Sequence, residues 1–385
     1  MPIISDQDRI NPLKKTTYLD NLTVLPLHAE AERAVTQALQ QGYGHPRATN
    51  LPGRRAQEVL EDLKERTARS FGGSTAVFCS DGGMANGLSI LSAGRLARKA
   101  GRGHIAASPV EKSSVVAALK ILRSEGSIVS VLEIDGSGRI IPESLKEAVS
   151  DKTGLVTCAW VNGISGTIQP VGELAETARS AGAWFHTDAC DAAGRIDIDI
   201  SRTDIDLITV CSLKIGGPPG AAAIVMADVD PWLASVAPEL TSMANIPGIS
   251  GMIAAMDVMG TSIEPRSRIV NQLRADLLDG LDSFNVRYSI IGGDLERILP
   301  GTALLELSHV PDKLHLKLEK ENIILPSYNS TDRLSYLDRT GWDISNPDQY
   351  LGFSIDICNT TVDIEHFLRS FSEIYLSEKG GRREN

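Results

Sequence analysis

Short apolar runs alternate with stretches of helical periodicity over most of the chain. The runs AVF (76–78), the opening of HIAASP (104–109), IVSV (128–131), LVTCAWV (155–161), AWF (183–185) and DLITV (206–210) have no regular polar face. They predict strands, and AWF and DLITV read as strands buried in a parallel sheet. Between them RRAQEVLEDLKERTARSFG (54–72), SSVVAALKIL (113–122) and VGELAETARSAG (171–182) place apolar residues at helical spacing, and the first stops at Gly72, a favourable helix C-terminal residue. Strand, crossover helix and strand in repetition predict an α/β fold with a mainly parallel sheet. GYGHPRATN (42–50), rich in glycine and proline, predicts a loop.

From about residue 265 the pattern changes. A long amphipathic helix, RSRIVNQLRADLLDGL (266–281), leads to strands at TALLELS and LGFSIDI and helices at PDKLHLKLEKE and VDIEHFLRSF. The expected organisation is an N-terminal arm (1–17), a large domain (18–264), a small C-terminal α+β domain (265–376) and a charged, disordered tail (377–385).

The composition, 42% hydrophobic and 23% charged, belongs to a soluble globular protein. A net charge of −11 with no sustained basic run argues against nucleic-acid and anionic-membrane partners. The first residues, MPIISDQDRINPLKK, lack an apolar signal core, and no apolar stretch is long enough to span a bilayer. Cys79, Cys158, Cys190, Cys211 and Cys358 are scattered without CxxC spacing. They read as reduced thiols of a cytoplasmic protein, not as a disulfide framework or metal site.

Two polar groups end apolar runs where a buried strand has little use for them: Asp188 after AWFHT and Lys214 after DLITVCS. Their separation is about one helix-plus-loop crossover, so both can project from the carboxyl edge of one sheet, where open α/β sheets bind ligands. A lysine and an aspartate there suggest pyridoxal phosphate, the amine forming a Schiff base with its aldehyde and the carboxylate holding the pyridine nitrogen protonated. A surface ion pair is the plainer alternative. Lys214 is followed by IGGPPGAAAIVM, a Gly/Pro turn entering another apolar run, which holds the lysine on a tight connection. In TAVFCSDGGMANGLSIL a strand passes through Gly82 and Gly83 into a helix, presenting backbone amides at a helix N-terminus, a place suited to phosphate.

The HTDA strand end, the SLKIGGPPG turn and their spacing resemble the cysteine desulfurase and class V aminotransferase branch of fold-type I pyridoxal phosphate enzymes. The resemblance runs from about Tyr18 to about Phe367. It implies a homodimer acting on a small-molecule amino acid or amine, with pyridoxal 5′-phosphate bound by Gly82, Gly83, Asn162, Asp188, Asp191, Cys211, Ser212, Lys214 and Ser250, and with Lys214 and Lys112 catalytic. Asn162 matches the family asparagine beside the cofactor oxygen. YLDNLTVLP matches the segment that enters the large domain near the cofactor.

Several positions depart from the family. Gly83 replaces a threonine of the phosphate site, Cys211 a serine, and Leu213 the histidine before the lysine. Where the family has Glu-His, with the histidine stacked on the ring, this chain has Glu111-Lys112. Lys112 then reads either as a desolvated basic amine or as a surface lysine at a helix start. Asp191 stands in place of a glutamine near the ring hydroxyl, where a carboxylate would repel a phenolate unless protonated or turned away. ELTSMANIPGISGM lacks the arginine and threonine that reach the partner subunit's phosphate, with Ser250 the nearest substitute. The loop SYNSTDRLSYLDRTGWDISNPDQY has no cysteine to carry sulfur, and Phe353 occupies the position of the arginine that grips the substrate carboxylate, leaving Arg333 or Arg339 to take its place. Three activities remain open: a carbon–sulfur lyase, aminotransferase or decarboxylase, a desulfurase with a displaced thiol, and a non-catalytic paralogue serving as a binding subunit.

Overall fold

The strands and crossover helices form where the apolar pattern places them, although the edge strand at 128–131 leaves Ile128 and Val131 exposed. The computed structural model describes residues 16–42, 44–227, 245–261, 263–326, 337–342, 345 and 347–381. Along the chain lie β1 (Thr17–Tyr18), α1 (Ala29–Gln41), α2 (Leu51–Ser70), β2 (Thr75–Cys79), α3 (Gly82–Lys99), β3 (His104–Ala107), α4 (Ser113–Ser124), β4 (Ile128–Val131), α5 (Pro142–Ala148), β5 (Thr153–Ala159), α6 (Val171–Ser180), β6 (Trp184–Asp188), β7 (Leu207–Cys211) and β8 (Ala222–Met226). There follow α7 (Ile246–Gly260), α8 (Ile263–Ser283), β9 (Tyr288–Ile291), β10 (Thr302–Leu307), α9 (Leu314–Lys320), β11 (Ile323–Ile324), β12 (Tyr350–Ser354) and α10 (Thr361–Gly381).

Two compact units divide the chain, one of Val24–Gly163 and Thr167–Ile263, the other of residues up to Thr23, Ile164–Gly166 and those from Glu264 onward. The first is built on a seven-stranded sheet in the order β2-β8-β7-β6-β5-β3-β4. Strands β3 to β7 pair in parallel, and β8 runs antiparallel between β2 and β7. Every residue of β5, β7 and β8 is buried, which explains their mainly apolar character. Helices α3 and α4 press Ile90, Val115 and Leu122 against Val77, Ile105, Leu155 and Ile224. Because β2 and β7 both oppose β8, with Cys79 and Cys211 each in register with Ala222, β2 and the inner parallel strands end at the same edge. Asp188, Lys214 and the start of α3 are thereby brought to one side of the sheet.

In the second unit β9, β10 and β12 form an antiparallel sheet, and α8 and α10 supply Leu273, Leu277, Phe367 and Phe371 to its core. Tyr18 was expected to open the large domain; it belongs instead to this unit. The reason is long-range pairing: β1 runs parallel to β11, Asp20 bridges Ser354, and the Asn21 side chain donates to Ser354 O at 2.7 Å. Gly166 joins the same unit, its carbonyl accepting from Leu299 N at 2.8 Å. The tail expected to be disordered from Ser377 continues α10 as far as Gly381, since Ser377, Glu378 and Lys379 allow the helical backbone to run on. Cys358 lies beyond the end of β12 in an exposed turn. The expected arm up to Lys15 and the tail beyond Gly381 lie outside the described residues. Among the described residues no single helix is long and apolar enough to cross a membrane.

Candidate active site

Strand β6 delivers Asp188 to the sheet edge, and the turn after it folds Asp191 back beside it; the two are 1% and 0% exposed. A buried carboxylate persists as an ion only when paired and hydrogen-bonded. Asp188 Oδ1 accepts from Cys190 N at 2.9 Å, and its Oδ2 accepts from Asn86 Nδ2 at 2.8 Å. Lys112 Nζ completes the set, 2.9 Å from Asp188 Oδ2 and 2.9 Å from Asp191 Oδ2. Lys214 Nζ lies 2.9 Å from Asp191 Oδ1. Two ammonium groups and two carboxylates thus alternate in one connected array: Asp188, Lys112, Asp191, Lys214.

Local sequence explains each placement. Lys214 sits in a 3-10 turn (Ser212–Ile215) closed by Gly216 in the left-handed region at φ 75°. Arg195 donates to the Lys214 carbonyl at 2.7 Å, and His28 N donates to that of Gly216 at 2.8 Å, so the lysine backbone is pinned from two sides. Lys112 is the N-terminal cap of α4, with its side chain turned back over the strand ends. Asn86 opens the second turn of α3, one helical turn past Gly82, and so faces the same edge.

Electrostatics follow from burial and pairing. Burial opposes ionisation of both aspartates, but Lys112 holds Asp188 below the ordinary carboxylate range, and Lys112 with Lys214 does so more strongly for Asp191. The same pairing overrides burial at Lys112 and holds its ammonium well above the usual range. Lys112 is therefore a half-buried ammonium group that donates to both carboxylates and stays charged, not a free basic amine. Asp191 is neutralised by two cations, Lys112 and Lys214. Next to Lys112, burial pushes the Glu111 carboxyl up to about 8; its Oε1 accepts from Ala159 N at 2.8 Å, while Oε2 is buried with no hydrogen-bond partner among the described residues. His186 is buried between Thr157 and Thr209, and desolvation lowers it to about 4, leaving a neutral tie across three strands.

The remaining predicted residues divide. Asn162 is buried, donates to Val110 O at 3.3 Å, and precedes Gly163, where a Cβ would fall 2.7 Å from Asp191 Oδ2. Gly82 lies against Cys190 and Cys211, a Cβ there coming within 3.0 Å of Cys190 Sγ. Ser212 is fully buried; its hydroxyl faces Gly217 and has no hydrogen-bond partner among the described residues. Ser250 hydroxyl donates to Ile246 O within α7 at 2.8 Å, so it is committed to its own helix. Phe353 is 1% exposed, a core residue of the antiparallel sheet. Arg339 is exposed, and Arg333 and most of the loop around it lie outside the described residues.

Residues 17–367 match the family described as Aminotransferase class-V. The chain belongs to that family. It is 32% identical over 303 residues to a cysteine desulfurase of Cereibacter sphaeroides, spanning 74% of this chain and 75% of the relative. It is 28% identical over 282 residues to the cysteine desulfurase IscS of Methanosarcina thermophila, spanning 71% and 70% respectively. Its fold is that of a solved NifS-like protein: TM-score 0.83, 22% identity, 94% of this chain and 99% of the other covered. Class V aminotransferases use pyridoxal phosphate, and this chain is a pyridoxal-phosphate-dependent enzyme of that family with the α/β architecture of fold-type I.

The residues present fit the coenzyme at its ring end. They supply an amine on a rigid turn, a buried carboxylate held by Asn86, and Gly163 packed closely against Asp191, where a side chain would not fit. At the phosphate end the expected hydroxyl and imidazole side chains are missing. Asn86, which steadies Asp188, escaped sequence reasoning; its only signal was its place four residues after Gly82 on a helix starting at the sheet edge.

Proposed function

We propose that this enzyme acts on the amino group of a small-molecule amino acid or amine, as a carbon–sulfur lyase, aminotransferase or decarboxylase. The observation that carries the reading is the array in which Lys214 and Asp188 are joined through Lys112 and Asp191 at the carboxyl edge of the sheet. Bound there, pyridoxal phosphate supplies an aldehyde that links to amines and a ring that draws electron density from the substrate's α-carbon. Asp188, ionised and held by Asn86 and Cys190 N, would face the ring nitrogen and favour its protonated form. Lys214 would hold the aldehyde end of the coenzyme, and its amine is placed to take or return a proton at the substrate's α-carbon. Asp191 orients Lys214, and Lys112 keeps the aspartates ionised as the charge on Lys214 changes. Asn162, beside Gly163 and Asp191, is assigned to the ring oxygen. A homodimer in the cytoplasm accords with the family and with all five cysteines being thiols.

A second reading has one observation in its favour. The S–H of Cys190, the backbone amides of Gly82 and Leu213, and the nearby Lys214 lower the Cys211 thiol to about 6 despite burial, so this thiol could carry sulfur in place of a loop cysteine. Visible absorption of the purified protein, with and without added pyridoxal phosphate, tests the main reading. A band present in the parent and lost in Lys214→Ala is expected; no band at saturating coenzyme overturns it. Sulfide release from cysteine that disappears in Cys211→Ser would transfer support to the second reading.

A further inference from the structure

Asp188 receives more donors than its own strand end supplies. Its Oδ1 accepts from Cys190 N at 2.9 Å, a bond made within the turn that follows β6. Its Oδ2 accepts from Asn86 Nδ2 at 2.8 Å and lies 2.9 Å from Lys112 Nζ, both reaching it from other elements. A carboxylate offers about four acceptor positions, two on each oxygen. Both on Oδ2 and one on Oδ1 are taken by these donors, so the position left for a further donor is on Oδ1.

Asn86 is 1% exposed, and its amide is used from one end only. Nδ2 donates to Asp188 and, at 3.4 Å, to Ser114 Oγ in the first turn of α4, while Oδ1 is buried with no hydrogen-bond partner among the described residues. A buried carbonyl without a donor offsets what the N–H bonds contribute to the fold. Stability therefore gives little reason for an amide among the buried Ala85, Ile90 and Ala93 of α3. What the amide supplies is direction. It grips Oδ2 as Cys190 N grips Oδ1, so neutral donors fix the carboxylate at both oxygens and it cannot turn to serve the Lys112 ammonium alone.

We propose that Asn86 is a positioning residue: by holding Oδ2 it keeps the open acceptor position of Asp188 Oδ1 available to the ring nitrogen, and so determines how strongly the protein recognises that nitrogen in its protonated form. The proposal deepens the coenzyme assignment above and rests on it. Asn86 acts through Asp188 and is assigned no contact with the coenzyme itself.

The experiment titrates the coenzyme-free full chain with pyridoxal phosphate and with its 1-deaza analogue, in which a C–H replaces the ring nitrogen. The two share the aldehyde, the hydroxyl and the phosphate, so the ratio of their dissociation constants reads the nitrogen. The parent is expected to favour pyridoxal phosphate by about tenfold or more, the worth of a hydrogen bond to a charged group. In Asn86→Leu, which removes the amide at similar volume, that preference is expected to fall about fivefold. Ser89→Ala, which trims the next buried polar side chain of α3, is expected to keep the parental preference. A merely structural loss weakens both compounds by one factor and leaves the ratio at the parental value. An unchanged ratio in Asn86→Leu therefore overturns the proposal, and so does a larger one, which would mean that the amide only weakens Asp188 as an acceptor. A parent that binds both compounds without preference leaves the coenzyme assignment standing and overturns the role of Asn86. A parent that binds neither overturns both. Should Asn86→Leu fail to fold, Asn86→Ala, which removes the amide without adding bulk, is read in its place by the same criteria.

Discussion

Asp191 carries two ammonium groups on one carboxylate, Lys112 at Oδ2 and Lys214 at Oδ1, each at 2.9 Å. With Asp188 the array balances two positive against two negative charges, and the two neutral donors nearby, Cys190 N and Asn86 Nδ2, are already used on Asp188. Replacing Asp191 by Asn leaves two cations facing one carboxylate. Breaking a buried pair costs about 3 to 5 kcal/mol, and the side chains of Lys112 and Lys214 retain 31% and 20% exposure, so a loss of about 2 kcal/mol is expected at neutral pH. The urea midpoint of Asp191→Asn measures it. Adding Lys112→Met restores the charge balance and is expected to recover roughly half of the loss; a double variant weaker than either single one would show that packing, not charge, holds the array.

At the scale of elements, what matters is how turns aim side chains that strands only bring near. The Ser212–Ile215 turn ends at Gly216 with φ 75°, and a Cβ there would lie 2.5 Å from His28 Cδ2 and 2.9 Å from Pro26 O. Gly216→Ala is therefore both strained and crowded. It should cost about 2 kcal/mol in thermal or denaturant unfolding and, by shifting the lysine turn, reduce the Lys214-dependent absorption at equal coenzyme concentration. A variant with parental stability and spectrum would show that the turn does not position Lys214. The elements also separate what could be read in the chain from what could not. Asp188 and Lys214 were legible because apolar runs announce strand ends, and strand ends in a parallel sheet share an edge. The direction of Lys112 was not, since a residue capping a helix can turn outward or back over the sheet, and only the two buried carboxylates decide between them. Asn86 was silent because one amide on an apolar helix resembles many. Tyr18 joined the other unit through pairing with Ile324, a contact across most of the chain that no local pattern encodes. The α/β class, by contrast, rests on repeated local alternation and is found as expected.

Over the whole molecule, two buried groups of this site titrate in opposite senses between about pH 5 and 8 and make the stability of the protein flatter with pH than either alone would. Glu111 has its carboxyl raised to about 8 by desolvation, so the fold binds a proton that the unfolded chain, with an ordinary value of about 4.3, releases; that stabilisation is lost as pH rises toward 8. Cys211 runs the other way. Its thiol is lowered to about 6, against about 8.5 when unfolded, so its contribution is full above the unfolded value and is lost as pH falls through 6. The net charge of −11 adds a self-repulsion common to parent and variants, which cancels when they are compared at one ionic strength. Removing either group should expose the other. Glu111→Gln, the shape of the protonated acid without its titration, is expected to match the parent near pH 5 and to exceed it by about 2 kcal/mol near pH 8. Cys211→Ser is expected to fall behind the parent progressively over the same interval, by about 1 to 2 kcal/mol at the alkaline end. Urea unfolding across that range reads both. Variant and parent curves that stay parallel would mean that Glu111 and Cys211 keep their ordinary protonation in the fold, and that the site is wetter than its burial implies.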